Sequence, residues 1–276
     1  MGTCTFCGQE AGWFKNQHPT CKERHESGWR DMVTAAKQTA ITGSKLDLLR
    51  ADLSKLARSN FHSPEEVKSA LIQGWEAALE SVLDDKVLSR EEEGHLMTYV
   101  NHFGLSQADL NAHGAYGRAA MSAVLREVLD GNLPSRVQVD SPLPFNFQKT
   151  ESLVWVFQNV PYLEERVRRT YVGGSHGVSV RIAKGVYYRI GAFRGQPVET
   201  SQMERVDTGL LAITNKHLYF GGSKRSLRIP YSKIVTFTPY SDGLGICRDA
   251  ATARPQCFIT GEGWFIYNLV MNLAKH

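Results

Sequence analysis

At 276 residues, with 42% hydrophobic and 22% charged residues and a formal net charge of +4, the chain has an ordinary globular composition and length for two or three domains. No apolar run approaches the ~20 residues of a membrane helix, and the polar, cysteine-bearing start lacks the apolar core of a secretory signal. The mildly basic balance permits contact with phosphate or an anionic membrane surface without demanding it.

The chain begins with a metal-ligand pattern. Cys4-Thr5-Phe6-Cys7 lets two thiolates reach one metal from a tight turn, and Gly8 suits the backbone of such a knuckle. His18-Pro19-Thr20-Cys21 supplies a second pair at the first turn of a helix, with Pro19 placed to start it. Cys4, Cys7, His18 and Cys21 are expected to form a closed Cys3His tetrahedron around a structural zinc ion. His25, one helical turn beyond Cys21, is an alternative fourth ligand. A redox Cys-x-x-Cys is the rival reading, but that motif normally opens a helix in a βαβ unit and none follows here. So short a segment buries no core, and the metal should supply most of its folding free energy. Metal-type cysteine spacing without a secretion signal places the protein in the reducing cytosol. Cys247 and Cys257 read as buried free thiols.

Glu23 to Lys37 continues as helix, and a helical stretch follows over about 44–130. Ser63-Pro64-Glu65-Glu66 and Ser89-Arg90-Glu91-Glu92 are capping boxes. Val67, Leu71, Ala78, Leu79 and Val82 make the apolar stripe behind the first, and Leu96, Tyr99, Val100 and Phe103 that behind the second. Ser106 is expected to open a third helix carrying Met121, Val124, Leu125 and Val128. Gly104 and Gly131 sit where helices should stop. Pro134, Pro142 and Pro144 then punctuate a linker, partly ordered by Phe145 and Phe147.

The remainder is β-rich. Val178, Val180 and Ile182 alternate, Val186 to Ile190 is a further strand, and Leu210–Thr214 and His217–Phe220 form a hairpin across Asn215-Lys216. Strands at Leu227–Ile229, Ile234–Thr238, Leu244–Cys247 and Cys257–Thr260 precede a helix from about Gly263 that carries Trp264, Phe265, Leu269 and Leu273. The expected fold is α+β and multidomain: a zinc ribbon (1–30), a helical bundle (31–131), a linker (132–150) and an antiparallel β-barrel capped by a helix (151–276).

Gly209-Leu210-Leu211-Ala212-Ile213-Thr214-Asn215-Lys216-His217-Leu218-Tyr219-Phe220, followed by Ile229-Pro230-Tyr231-Ser232-Lys233-Ile234, resembles bacterial pleckstrin-homology-like and GRAM-like domains. The resemblance covers about 155–275 and implies a barrel of two packed sheets with a carboxy-terminal helix, serving as a lipid-headgroup binder or a protein-interaction platform. Asp84-Asp85-Lys86-Val87-Leu88-Ser89 with Glu92 resembles TerB-like helical domains over about 45–130. Asp85-Lys86 stands where that family usually has an acid–glycine turn.

Lys224, Arg225 and Arg228 surround one hairpin turn, and Arg166, Arg168 and Arg169 precede the barrel. Such a basic turn can cradle a phosphorylated headgroup; a solvated charged turn is the competing reading. Gly173-Gly174-Ser175-His176-Gly177 lacks the following helix of a phosphate loop and reads as a turn. Asp84, Asp85, Glu91, Glu92 and His95 lack the ligand alternation of a calcium loop. His95, His102 and His113 read as surface or satisfied core histidines, and Trp155, Tyr187, Tyr188, Trp264 and Tyr267 as core and barrel-end aromatics. No catalytic constellation is recognisable.

These features favour a non-enzymatic cytosolic adaptor. Its zinc module and bundle would bind a protein partner, and its barrel a second protein or an anionic lipid surface at the inner membrane face. By analogy of architecture it suits a stress-response or phage-defence pathway. A nucleic-acid binder is the alternative: Lys15, Lys22, Arg24 and Arg30 surround the metal site and Trp13 and Phe14 could stack on bases, but Glu10, Glu23, Glu26 and Asp31 interrupt any positive stripe. A metal-dependent hydrolase using a metal in the helical domain is the second alternative and needs an open coordination site.

Overall fold

The computed structural model describes residues 2–84, 86–138, 143–172, 175–183, 186–193, 196–250 and 253–275, with side chains described outside 168–200. The chain forms two compact units, Met1–Asn132 and Leu133–His276.

In the first unit, a small antiparallel pair, β1 (Gly2–Thr3) and β2 (Glu10–Gly12), precedes α1 (Pro19–Thr42), α2 (Leu46–Asn60), α3 (Pro64–Val82), α4 (Arg90–Phe103), α5 (Gln107–Leu110) and α6 (Ala115–Leu129). Helix α1 crosses residue 30, so the cysteine cluster and the bundle share one helix. Both predicted capping boxes form: Ser63 and Glu66 close α3, and Ser89 and Glu92 close α4. The third expected helix is two. Ser106 caps only the single turn of α5, and the stripe with Val124, Leu125 and Val128 belongs to α6. Gly114 at φ 73° separates them, a left-handed conformation that interrupts a right-handed helix.

The core of this unit lies where α1 meets α3. Met32, Ala36 and Ala40, spaced one turn apart, face Ala70, Trp75 and Ala78. Small residues let the helices close up: a Cβ added at Gly74 would lie 2.4 Å from the Cβ of Ala36. Gly74→Val is therefore expected to destabilise by about 1–3 kcal/mol through overpacking, read as a lower denaturant midpoint, whereas Gly94→Ala, with nothing near its added Cβ, should not. Two aromatic side chains pin α4 to α3 while filling the core: Trp75 Nε1 donates to the Leu96 carbonyl (3.3 Å), and Tyr99 Oη donates to that of Leu71 (3.1 Å).

The second unit contains β3 (Leu153–Val172), β4 (Ser175–Ala183), β5 (Val186–Phe193), β6 (Gln196–Thr214), β7 (His217–Gly222), β8 (Ser226–Pro230), β9 (Ile234–Pro239), β10 (Gly243–Arg248), β11 (Gln256–Ile259) and α7 (Gly263–Leu273). Seven strands form an antiparallel sheet in the order β8-β7-β6-β3-β11-β10-β9, curled into a half-barrel, and β4 and β5 pair separately. The expected α+β class and helix-capped β unit are present, with β8 and β9 at the two ends of the sheet. Strands β3 and β6 pair from Leu153↔Thr214 to Val172↔Gln196, while β11 joins β3 only over Tyr162 to Glu164. Inward-facing Val160, Tyr162, Leu211, Ile213, Phe220 and Phe258 are buried beside Phe265, Leu269 and Leu273 of α7. Trp155 packs edge-on against Phe265 at 5.2 Å, as a core aromatic should, whereas Trp264 is 41% exposed. Tyr187 and Tyr188 are among the side chains outside the description.

Residues 143–152 are tied to the sheet. Phe145 and Phe147 pack on Tyr219 at 5.6 and 5.1 Å. Ser152 and Asn215 exchange two hydrogen bonds across the β6–β7 turn. No helix among the described residues is long and apolar enough to cross a membrane.

Candidate metal centre

Cys4 leaves β1 into a tight turn. Its amide donates to the Gln9 carbonyl (2.7 Å) and its carbonyl accepts from Gly8 (2.9 Å), whose φ of 72° suits glycine. This turn brings Cys7 round beside Cys4. His18 then stands at the N-cap of α1 in extended conformation, with Pro19 in the first turn. Its side chain does not cap the helix; it turns to the cysteines instead. Cys21, one turn along α1, completes the group.

The donors Cys4 Sγ, Cys7 Sγ, His18 and Cys21 Sγ lie within 4.8 Å of one another. His18 Nδ1 is 3.4 Å from Cys7 Sγ and 3.7 Å from Cys21 Sγ. For metal–sulfur and metal–nitrogen bonds of about 2.3 and 2.05 Å, a tetrahedral sulfur–nitrogen edge is about 3.6 Å. The residues thus fit a four-coordinate metal ion. His18 Nε2 sits 2.9 Å from the Glu10 carbonyl, which assigns the proton to Nε2 and directs the Nδ1 lone pair at the sulfurs. The cluster is electrostatically uneven without a cation. Burial opposes ionisation of Cys4, but amides of Cys7, His18 and Phe6 outweigh it and bring the thiol down to about 6. Burial and then the neighbouring Cys7 and Cys4 push Cys21 up to about 11. A bound metal would hold all three as thiolates. Four protein donors close the shell, so such a site stabilises and does not bind substrate. His25 is not part of it: its ring stacks on His62 at 3.9 Å between centroids.

Beside this centre the loop after β2 displays Trp13 and Phe14, 74% and 100% exposed. Phe14 holds a left-handed φ of 59°, uncommon for an aromatic residue. Of the basic residues nearby, Lys22 faces Glu26 at 3.8 Å, and Arg24 donates to the Ser59 carbonyl while covering the Phe61 ring.

The structure brings Lys224, Arg225 and Arg228 to the β7–β8 turn, but a carboxylate already occupies it. Buried Asp207 accepts from the amides of Lys224 (2.6 Å) and Arg225 (2.8 Å) and from Ser223 Oγ (3.3 Å). Arg225 lies 3.6 Å from Glu164, and Arg228 pairs across the ladder with Tyr219. Burial works against the Asp207 carboxylate, yet the amides of Lys224, Thr208 and Arg225 hold its pKa below the usual value. Arg166 faces Glu204 at 3.6 Å, and the side chains of Arg168 and Arg169 and residues Gly173 and Gly174 fall outside the described residues.

Among the described residues Asp84, Glu91, Glu92 and His95 form no metal-ligand group, and Asp85 lies outside them. Glu92 caps α4, and His95 Nδ1 meets the Ile41 carbonyl at 2.8 Å. His113 Nδ1 meets Glu76 at 3.0 Å, as expected, whereas buried His102 Nε2 faces Asp47 at 3.6 Å without a hydrogen bond. Cys247 and Cys257 are free thiols; Cys257 is buried and Cys247 half-buried.

One polar constellation escaped the sequence reading. The side chain of Glu151 is fully buried, contacts His217 Nδ1, and accepts from Tyr219 Oη (2.6 Å) and Thr214 Oγ1 (3.2 Å). Its partners lie more than sixty residues away, and only the alternation of Thr214, His217 and Tyr219 around one turn hinted at a polar pocket there.

No protein-family model, curated protein or solved structure matches this chain.

Proposed function

We propose that this protein is a non-enzymatic adaptor built on a structural zinc ion held by Cys4, Cys7, His18 and Cys21, and that it docks a protein partner through Trp13 and Phe14. The carrying observation is the exposure of these two aromatics on a loop whose ends are held by the four-donor cluster. Three thiolates and one imidazole suit zinc. Exposed aromatics, here Trp13 and Phe14 packed edge-on against each other at 6.3 Å, are what a protein interface uses as anchors. The second unit serves as a pleckstrin-like platform in this reading. What supports this reading is a curled antiparallel sheet followed by a helix, although its seven strands form one half-barrel sheet where the resemblance implies two packed sheets. Asp207 fills the amides that would otherwise meet a phosphate, which favours a protein over an anionic headgroup at that turn.

A nucleic-acid role finds support in Lys15 beside the aromatic pair. The engagement of Lys22 and Arg24 within the protein weighs against it.

The test is affinity recovery from native extract with wild type and the Trp13→Ala/Phe14→Ala variant, alongside flotation with anionic vesicles and gel retardation. The expected result is one stoichiometric protein partner lost by about 30-fold in the variant, the effect of a 2 kcal/mol anchor, at unchanged thermal stability. Undiminished recovery by the variant would overturn the docking assignment. Salt-sensitive retardation of nucleic acid, abolished by the same substitutions, would replace it with the nucleic-acid reading.

A further inference from the structure

We propose that His25, His62 and Glu66 form a second metal site, separate from the cysteine cluster, for a divalent transition-metal ion. The three residues come from different places: His25 from α1, His62 from the α2–α3 connection and Glu66 from the first turn of α3. Their donor atoms nonetheless converge within 4.8 Å of one another.

The hydrogen bonds around the rings are those of ligands held for a cation. His62 Nε2 is 3.0 Å from the His25 carbonyl, and His25 Nδ1 is 3.1 Å from the Asn60 carbonyl. A carbonyl only accepts, so each of these nitrogens carries a proton. The other nitrogen of each ring faces Glu66: His25 Nε2 at 3.1 Å from Oε1, His62 Nδ1 at 3.6 Å from Oε2. His62 Nδ1 is buried without a hydrogen-bond partner, in a side chain with no exposed surface. The carboxylate is fixed in turn, because Oε2 accepts from the Ser63 amide at 2.8 Å.

Two neutral rings would aim two lone pairs at a carboxylate. Two protonated rings would stack like charges at 3.9 Å, one of them fully buried. A single cation between the two nitrogens and the carboxylate removes both conflicts. Binding draws the donors to about 2.1 Å from the ion, a side-chain adjustment. Two imidazoles and a carboxylate suit zinc, cobalt, nickel or ferrous iron. Three protein donors leave a position open to water, unlike the closed cysteine site.

The test is cobalt(II) titration of the metal-stripped, reduced full chain, followed by optical spectroscopy and elemental analysis. The expected result is two equivalents: one with intense sulfur-to-cobalt charge transfer, the other with weak ligand-field bands alone. Glu66→Gln, whose amide oxygen can still cap Ser63, and His62→Ala should each weaken the second equivalent by at least 10-fold and leave the charge-transfer band intact. Saturation of wild type at one equivalent, or a second equivalent unchanged in both variants, overturns the proposal. Because the charge-transfer band reports the cysteine site alone, failure of either site is read independently.

Discussion

With zinc bound at Cys4, Cys7, His18 and Cys21 as proposed, stripping it with a chelator under reducing conditions is expected to unfold residues 2–17 and leave the helical bundle standing. The amino-terminal segment has little else to hold it. Its two strands are two and three residues long. Cys4 and Ala11 are its buried apolar residues, Trp13 and Phe14 point into solvent, and half-buried Phe6 rests on His25 and Phe61 at 4.6 and 6.3 Å. Structural zinc sites of this kind supply about 10–16 kcal/mol of apparent binding free energy, which for so small a module is its folding free energy. Helix α1 survives beyond its first turns because Met32, Ala36 and Ala40, each with no exposed surface, belong to the bundle core. Hydrogen exchange with and without chelator checks this directly: the amides of Cys4, Thr5 and Gly8, all hydrogen-bonded within the knuckle, should lose protection, while those around Trp75 keep it. Cys4→Ser should behave like the chelated protein, because a hydroxyl is a far poorer zinc ligand than a thiolate. Full protection of residues 2–17 in protein shown by elemental analysis to be metal-free would mean that the metal does not hold this segment.

The contrast between what could and could not be read from the sequence follows from the range of the interactions. Cys4, Cys7, His18 and Cys21 span one short segment, and their spacing alone sets which atoms can meet. The capping boxes at Ser63 and Ser89 are equally local. The β6–β7 hairpin and the short strands after it follow from alternation and turn residues. The twenty-residue β3 was not legible, because Asn159-Val160-Pro161 and the charged run Glu164 to Arg169 break the apolar alternation; it extends as a strand by pairing along β6. The splitting of α5 from α6 hid for the opposite reason: Ser106 is a sound local cap, and only the left-handed Gly114 interrupts the helix that it promises. At the basic turn, charge was legible, but the capture of its backbone amides by Asp207, sixteen residues from Ser223, was not. His25 read as a spare zinc ligand because Cys21 is near it in sequence; its contacts are with His62 and Glu66, which reach it only through the packing of α1 against the α2–α3 connection.

Replacing Glu151 with Ala is expected to cost about 3–5 kcal/mol of stability in the second unit. Three strand residues, Thr214, His217 and Tyr219, direct polar atoms at this one buried carboxylate, and His217 and Tyr219 are themselves nearly inaccessible. Without Glu151 the His217 ring and the Tyr219 hydroxyl lose this partner while remaining out of water, and the segment that leads into β3 keeps its Ser152–Asn215 bonds and its Phe145 and Phe147 packing at the β6–β7 hairpin. Glu151→Gln, which keeps the shape and part of the hydrogen bonding, should cost only about 1–2 kcal/mol. The difference between wild type and Glu151→Gln should also depend on pH. Burial alone would raise the pKa of Glu151, but the Tyr219 hydroxyl, the Gln148 amide and His217 outweigh it and hold the carboxyl below its usual value. A carboxylate with a lowered folded-state pKa stabilises the fold above its unfolded-state pKa, about 4.3 for glutamate, and that stabilisation is lost as pH falls through the lower folded value. Urea titrations of both proteins should therefore show a constant gap at neutral pH that narrows in acid. A gap that stays constant into acid would mean that Glu151 is not held as a buried carboxylate, and a Glu151→Ala variant as stable as wild type would mean that the lead-in segment is held by Phe145, Phe147 and the Ser152–Asn215 bonds without it.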